Sequence, residues 1–247
     1  MRFDGKAAII TGAASPIGKA IVDRLAGGGA KLVMADVDDE ALTQAIAGHA
    51  PGAFPFVGDL SDQETAEQLV GAARKEFGRV DILINNAGGG VISETKDHTP
   101  DTVRRTVDRN LWTAIWCTLP VLPMMVEQNY GRIVNIGADS VRNGLWMHAV
   151  YNAAKGGVHA MVTGIAREYA QYDITANVVA PSMVETPLVS EERRKGNPWV
   201  AKMESVIPKG RPAFPAEVAS MVAYLALDEA AFVTGQVISV NGGSTML

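Results

Sequence analysis

Short apolar runs alternate with longer amphipathic stretches along this chain of 247 residues. The apolar runs are almost continuous and rich in Val and Ile, which is typical of strands in a parallel sheet that is covered on both faces. They predict seven strands, at Lys6–Thr11, Lys31–Asp36, Ala53–Gly58, Val80–Asn85, Gly131–Ile136, Ile174–Ala180 and Gln236–Val240.

The amphipathic stretches between the strands have helical spacing. We expect one helix to begin near Ile17, another after Asp38, and a third at Ser61, where Glu64 gives the spacing of a capping box. Further helices are expected at Thr102–Gln128, Val150–Gln171 and Pro215–Leu227. Strands that alternate with helices in this way predict an α/β fold: a doubly wound sheet of seven parallel strands with helices on both faces.

No Pro/Ser-rich linker or low-complexity tract interrupts the alternation, so we expect residues 1–247 to form a single domain. The segment 185–213 differs, because it carries four prolines and mixed charge and has no strand character. Ligands of open α/β sheets bind beyond the carboxyl ends of the strands, where this segment emerges. We therefore expect a lid, with an irregular surface insertion as the alternative.

Composition narrows the range of partners. Lys and Arg number 22 and Asp and Glu number 27, so the net charge is −5, which argues against a nucleic-acid binder. The lone Cys117 cannot form an internal disulfide, and no Cys/His spacing resembles a metal site, so we expect a reducing, cytoplasmic location and no metal. The charged N-terminus is unlike a signal peptide, and the apolar run 114–126 is too short to span a bilayer.

The first strand ends in a turn that suits a pyrophosphate. Gly12 would permit a tight turn, Gly18 would let the next helix pack close to the sheet, and Ser15, Pro16 and Ile17 lie between them. Such a turn directs backbone N–H groups and the positive end of a helix dipole at one point. An ordinary strand-to-helix turn is the alternative.

Asp36 strengthens the prediction of a dinucleotide site. It ends the second strand, 24 residues beyond Gly12 and directly before Val37. A carboxylate there can accept hydrogen bonds from the ribose hydroxyls and would repel a 2′-phosphate, so NAD is expected rather than NADP. The alternative is a solvated acid at a strand end. Two small polar loops, at Asp59-Leu60 and Asn86-Ala87-Gly88, also follow apolar strands on this side.

Tyr151 and Lys155 are four residues apart in a helical stretch, so they share one helix face. A phenol has a pKa of about 10, too high for a base near neutrality. An ammonium at about 5 Å would lower that pKa by about 2 units and make the phenol a proton acceptor for an alcohol. By itself this spacing is common, and a surface pair is the alternative.

Together these motifs resemble the short-chain dehydrogenase/reductase family over essentially the whole chain. The matching segments are 11–18, 59–60, 86–88, Asn110, 151–155, 181–187 and 233–243. The resemblance implies a Rossmann-type sheet, a homotetramer and no macromolecular partner beyond it. It implies that Tyr151 is the general acid/base and Lys155 holds the nicotinamide ribose. It further implies that Asn110 positions a water, that Val184 and Thr186 bind the carboxamide, and that Pro181 belongs to the cofactor site.

The sequence departs from the family pattern at two positions. Pro16 stands where the family usually has glycine; it removes an N–H that lacks an intrahelical partner at a helix start, so NAD binding should survive. Ala138 stands where the family has a serine that hydrogen-bonds the substrate oxygen. Losing one such donor costs about 10²–10³ in rate. Ser140 is a candidate replacement, and Asp139, Asn143 or His148 are others.

We expect an NAD(H)-dependent oxidoreductase that interconverts a secondary alcohol and a ketone on a cyclic or acidic small molecule. Closer likenesses are to dehydrogenases of hydroxycycloalkane-carboxyl thioesters and, less strongly, to dihydrodiol dehydrogenases. The candidate substrate pocket comprises Ala138, Asn143, Trp146, His148 and Met183. Arg142 or the run Arg193-Arg194-Lys195 could hold a carboxylate or a coenzyme A phosphate, unless it is a solvated charge run. The rivals are an NAD-binding regulatory protein impaired by Ala138, and a lyase or isomerase.

Overall fold

The computed structural model describes residues 2–50 and 52–246. A parallel sheet of seven strands runs through them in the order β3-β2-β1-β4-β5-β6-β7. The strands are β1 Ala7–Thr11, β2 Lys31–Asp36, β3 Phe54–Val57, β4 Ile82–Asn85, β5 Tyr130–Ile136, β6 Asp173–Pro181 and β7 Val237–Val240. The predicted seven-stranded, doubly wound fold of the Rossmann type is confirmed, with boundaries within a few residues of the apolar runs.

Helices connect successive strands and cover both faces of the sheet. They are α1 Pro16–Gly27, α2 Asp39–His49, α3 Gln63–Phe77, α4 Pro100–Val107, α5 Thr113–Gln128, α6 Ser140–Asn143, α7 Ala149–Glu168, α8 Pro187–Arg194, α9 Pro198–Ser205 and α10 Pro215–Leu225. Helices α1 and α10 pack together, as do α3 and α5. Within the described ranges, no helix is long and apolar enough to cross a bilayer.

Each central strand contributes side chains to two separate hydrophobic cores, one on each face of the sheet. In β4, Ile82 and Ile84 pack into the core beneath α1 and α10, while Leu83 points to the opposite core beneath α3, α5 and α7. All three side chains are fully buried. Because successive strand residues face opposite sides, only a continuously apolar run can serve both cores, which is why these strands lack polar alternation. Burying each such side chain stabilises the fold by about 1.5–3 kcal/mol.

Two helix predictions were wrong in detail. Helix α3 is capped by Asp62, whose carboxylate accepts the Thr65 amide, so the expected capping box of Ser61 and Glu64 does not form. The Ser61 hydroxyl instead donates to Asp59. The helix expected at 102–128 is divided by a π-helical turn at Asp108–Trp112, a wider turn that often marks functional sites.

The segment 185–213 contains the short helices α8 and α9. It begins next to an isolated parallel bridge between Val184 and Ala213, which closes the segment at its base. Glu185 and Glu204 both pair with the guanidinium of Arg193, which ties α8 to α9. The segment is therefore an ordered helical excursion rather than irregular chain.

Candidate active site

A cleft of about 610 Å³ opens at the carboxyl ends of the strands. It lies beside β1 and β4, where the strand order reverses direction, which is the usual ligand position in a doubly wound sheet. Fifteen of the sequence-predicted residues line it: Gly12, Ser15, Pro16, Ile17, Asp36, Val37, Asp59, Leu60, Asn86, Ala87, Gly88, Asn110, Tyr151, Lys155 and Thr186. The structure therefore gathers the predicted cofactor residues and the Tyr–Lys pair around one cavity.

Gly12 and Gly18 shape the turn after β1. Gly12 has φ +61°, and a Cβ there would lie 2.9 Å from the Cα of Ala87. Gly18 does not line the cleft; a Cβ at this position would lie 2.2 Å from the carbonyl oxygen of Gly12. Any side chain at either position would therefore open the turn, which explains the two glycines.

The start of α1 offers an anion site. The Ser15 hydroxyl caps the helix by accepting the Gly18 amide, and its carbonyl accepts the Lys19 amide. Pro16 has no N–H to satisfy. Within the described ranges the Ile17 amide has no protein acceptor, so one N–H at the positive end of the dipole faces the cleft. This arrangement fits the pyrophosphate of a dinucleotide.

The Asp36 carboxylate is held by backbone amides at the edge of the cleft. One oxygen accepts the Ala14 amide at 2.9 Å, and the other accepts the amides of Val37 and Asp38 at 2.8 and 3.3 Å. A carboxylate offers about four lone-pair directions, so these three bonds leave one direction free, on the oxygen that accepts the Ala14 amide. The group is thus fixed in position yet able to receive a ribose hydroxyl.

The loop after β4 is fastened to the loop after β1. The Asn86 amide nitrogen donates to the carbonyls of Thr11 and Gly12 and to the Ser15 hydroxyl. The Ala87 backbone amide donates to the Thr11 hydroxyl at 2.9 Å. These bonds form the floor of the cleft from two strands that are far apart in sequence.

Asn110, Lys155 and Gly88 meet at the inner end of the cleft. Asn110 lies in the π-helical turn, and its side chain bonds the Gly89 backbone in both directions. The Lys155 ammonium donates to the Ile136 carbonyl at 2.7 Å. A Cβ at Gly88 would lie 2.9 Å from Asn110 Oδ1 and 3.3 Å from Lys155 Nζ, so only glycine fits between them.

The ionisation of the Tyr–Lys pair differs from expectation. Burial raises the pKa of Tyr151 to about 12 and lowers the pKa of Lys155 to about 8. The Lys155 ammonium is turned toward the Ile136 carbonyl and lies 6.0 Å from the centroid of the Tyr151 ring. In the free protein, desolvation therefore outweighs the predicted lowering of the tyrosine pKa.

Ser140 does not lie where the missing serine would act. Its hydroxyl donates to Asn152 Oδ1 at 2.6 Å, at the start of α6, and the residue is not among those lining the cleft. Ala138 is nearly buried, and its amide donates to His159 Nε2. Besides Tyr151, the described cleft lining contains three hydroxyl side chains, those of Ser15, Thr113 and Thr186.

Asp139 serves the local structure rather than the cleft. Its fully buried carboxylate accepts from the hydroxyls of Ser239, Ser244 and Thr245 and from the Asn241 amide. Four residues of the segment 239–245 thus bind one carboxylate, which fastens this segment to the turn after β5. A buried charge needs such a set of donors.

The remaining predicted residues lie outside the cleft lining, with the exception of Thr186. His148 packs edge-on against the Tyr151 ring, with centroids 5.8 Å apart. Trp146 is half-exposed, and Asn143 bonds weakly to Asp139 at 3.4 Å. Pro181 ends β6, Met183 and Val184 follow it, and none of the three lines the cleft, whereas Thr186 does and also caps α8.

Several site residues were not predicted from the sequence. The cleft is also lined by Asp38, Ala41, Gly89, Arg109, Thr113 and Ile136, and by Ala14 and Gly58, which belong to the predicted turn after β1 and the predicted loop at Asp59-Leu60. His159 was missed as well, although its spacing was available: it follows Tyr151 and Lys155 at positions i+8 and i+4 on α7. Arg109 and Thr113 have the same spacing across the π-helical turn, which the sequence did not reveal.

Comparison with known proteins gives concordant matches over the full chain. A family model described as enoyl-(acyl carrier protein) reductase matches residues 12–245. The 2,3-dihydroxy-2,3-dihydro-p-cumate dehydrogenase of Pseudomonas putida is 53% identical, covering 99% of this chain and 96% of that protein. The 1,6-dihydroxycyclohexa-2,4-diene-1-carboxylate dehydrogenase of Acinetobacter baylyi is 34% identical, covering 98% and 97%. The crystal structure of an NAD⁺-bound xylitol dehydrogenase superposes with a TM-score of 0.92 at 29% identity, covering 98% and 100%.

Proposed function

Since this chain belongs to the short-chain dehydrogenase/reductase family and is thus a nicotinamide-dependent dehydrogenase or ketoreductase, we propose that it oxidises a cyclic dihydrodiol with NAD⁺. The observation that carries the substrate class is the 53% identity, over nearly the whole chain, to a dihydrodiol dehydrogenase. The second relative also bears the name of a dihydroxylated cyclohexadiene dehydrogenase. Of the two likenesses in the sequence, the dihydrodiol type is therefore the one we adopt.

The proposed reaction balances without a further reactant. Bound NAD⁺ would supply the hydride acceptor for the carbinol carbon, and the Tyr151 oxygen would take up the hydroxyl proton. A dihydrodiol so oxidised is a hydroxy-ketone whose ring can tautomerise to a catechol. One dihydrodiol and one oxidised nicotinamide thus yield one catechol, one reduced nicotinamide and one proton.

The residues at the inner end of the cleft have separate roles in this proposal. Tyr151 moves the proton, and Lys155 favours the phenolate through its positive charge. Asn110 fixes the Gly88–Gly89 backbone next to Lys155, and we assign it the placement of a water in the proton path. Release of the Lys155 ammonium from Ile136 toward the cofactor ribose would bring its charge to bear on the phenol.

We assign the cofactor preference to Asp36. Its carboxylate is fixed at the cleft edge by the amides of Ala14 and Val37. A 2′-phosphate would bring a second negative charge to this point, whereas a ribose hydroxyl would find a free acceptor on the oxygen that binds the Ala14 amide. This geometry supports NAD as the cofactor.

Spectrophotometric assay of a small substrate panel tests the function. Wild-type protein should reduce NAD⁺ with cis-dihydrodiols, and Tyr151→Phe should lower the rate by about 10²–10⁴-fold. A hydroxycycloalkane-carboxyl thioester serves as the comparison substrate. Tight NADH binding without turnover of any panel member would instead favour the regulatory alternative that Ala138 raises.

We further propose a homotetramer in the cytoplasm. Trp112 and Trp116 stack on one another at 5.0 Å on the π-helical turn and α5, and Trp112 and Phe232 are exposed to solvent. Large exposed aromatic side chains favour burial between subunits. Light scattering of the purified protein measures the oligomer directly. The free, buried thiol of Cys117 is compatible with a reducing compartment.

A further inference from the structure

The ammonium group of Lys202 lies between two indole rings. Its Nζ is 3.8 Å from the centroid of Trp146 and 4.7 Å from the centroid of Trp199. Trp146 belongs to the loop between α6 and α7, whereas Trp199 and Lys202 belong to α9. Both indoles are about half-exposed, at 47% and 40%. The two rings hold a positive charge in place and leave it open to a ligand.

Lys202 has no carboxylate partner within the described ranges. Three other cations of the segment are paired: Arg193 with Glu185 and Glu204, Lys195 with Glu191 and Glu192, and Arg211 with Glu217. Arg194 and Lys209 also lack a carboxylate partner within the described ranges, but both are exposed. The Arg142 guanidinium bonds Ser239 and the Val237 carbonyl. Of the cations predicted from the sequence to hold a substrate acid, Arg142, Arg193 and Lys195 therefore already have protein partners, and Arg194 is exposed. Lys202 is half-buried and has no such partner.

A short chain of contacts connects Lys202 with the proton-transfer residue. The Trp146 ring contacts the Lys202 ammonium. The backbone carbonyl of Trp146 is hydrogen-bonded to Nδ1 of His148 at 2.7 Å, and the His148 ring packs against the Tyr151 ring. Between Trp146 and His148, Met147 has φ +65°. This conformation costs about 1–2 kcal/mol for a residue with a side chain and persists where the surroundings demand it. The loop is thus held in one shape beside Tyr151.

We propose that Lys202 binds the carboxylate of an acidic dihydrodiol, an inference that rests on the proposed function and narrows its substrate class. The indoles of Trp146 and Trp199 would lie along the substrate ring and shield the ion pair from water. An ammonium already held by aromatic faces loses little freedom when it binds. Lys202 is then a specificity-determining residue, and the chemistry of the reacting carbons remains with Tyr151.

Binding of product-like ligands to the NADH-saturated protein tests the ion pair without turnover. The probes are 2,3-dihydroxybenzoate and catechol, which differ by the carboxylate alone. Their binding is measured by calorimetry and by indole fluorescence. Lys202→Gln should lower the affinity for 2,3-dihydroxybenzoate by about 10–100-fold, the usual contribution of a charge-assisted hydrogen bond, and leave the affinity for catechol unchanged. Lys202→Arg should retain most of the preference.

Lys195→Gln is the matched control, because it removes the same charge from the same segment at a lysine that is already paired. Unaltered catechol and NADH affinities show that each variant is folded. The inference is overturned if wild-type protein binds the acid and catechol equally, or if Lys202→Gln behaves as Lys195→Gln does.

Kinetics separate this inference from the proposed function. With the acidic dihydrodiol, Lys202→Gln should raise KM by about 10–100-fold at nearly constant kcat, and a neutral dihydrodiol should be unaffected. If wild-type protein and Lys202→Gln oxidise both dihydrodiols with the same kinetic parameters, the inference about Lys202 is overturned and the proposed function is supported. Lys202-dependent binding of the acid without turnover of either dihydrodiol supports the anion site and overturns the proposed reaction.

Discussion

The Ala138 amide donates a hydrogen bond to Nε2 of His159, and the two atoms lie 3.2 Å apart. His159 stands one helical turn beyond Lys155, and its ring fills the space that a Cβ on Gly137 would need, at 2.3 Å from that position. Nε2 must be unprotonated to accept this bond. The imidazole therefore fixes the turn after β5, at the position where related enzymes carry a serine, only while it is neutral.

This relationship predicts acid sensitivity. Burial lowers the pKa of His159 to about 4, below its ordinary value of 6.5. The unfolded chain binds the proton more readily, so the stabilisation is complete above pH 6.5 and is lost as the pH falls from 6.5 to 4. We expect a loss of about 1–2 kcal/mol in the free energy of unfolding after allowance for solvent access, measured by urea titration at both ends of that range. His159→Gln should remove this component, and an equal pH slope in the two proteins would contradict the assignment.

The ionisation of Tyr151 predicts a pH-dependent rate. Burial raises the pKa of Tyr151 to about 12, so the phenolate is scarce at neutral pH and alcohol oxidation should accelerate as the pH rises. Removing the cation in Lys155→Met should move the apparent pKa of the rate profile upward by about 1–2 units. Rate profiles at saturating cofactor measure this shift. A profile displaced downward, or unmoved, would exclude a role for the ammonium in tyrosine ionisation.

Ala138 predicts a gain of function. The Ser140 hydroxyl is engaged with Asn152 and does not replace the family serine. We therefore expect the serine hydroxyl in Ala138→Ser to donate a hydrogen bond to the substrate oxygen and to raise kcat by about 10-fold or more. A fully aligned donor of this kind contributes a factor of about 10²–10³ in kcat. Steady-state kinetics on the oxidised dihydrodiol measure the effect. A fall in kcat would show that another group already occupies this position.

The sequence predicted the sheet and most of the cleft for a physical reason. A strand that is covered on both faces of the sheet must be apolar at every position, so a strand such as β4 can be recognised in the sequence as a continuous apolar run. A parallel sheet then places the carboxyl ends of all its strands at one edge. Gly12 and Asn86 directly follow strands and Asp36 ends one, so the meeting of these residues at one edge follows from the topology. Tyr151 and Lys155 share a face through helical spacing alone.

The features that escaped prediction depend on tertiary contacts. The π-helical turn around Asn110 has no local sequence signature comparable to a cap or a glycine, and the pattern predicted one continuous helix. Asp62 rather than Ser61 caps α3, because two adjacent residues were both capable of the role. The aromatic enclosure of Lys202 joins two segments more than fifty residues apart, and the orientation of Lys155 toward Ile136 depends on the folded strand.

The carboxylate of Asp36 predicts a switch in cofactor preference. Asp36→Asn retains a side chain that can hydrogen-bond the ribose and the Val37 amide but removes the negative charge. We expect kcat/KM with NADP⁺ to rise by about 10–100-fold, while the value with NAD⁺ falls less, because the change removes repulsion of the 2′-phosphate rather than the acceptor itself. Asp39→Asn is the matched control, since Asp39 lies in the first turn of α2 and does not line the cleft. If Asp39→Asn produced the same gain, the preference would come from the general negative field of this edge; a gain confined to Asp36→Asn assigns it to the carboxylate that the Ala14 and Val37 amides hold in place.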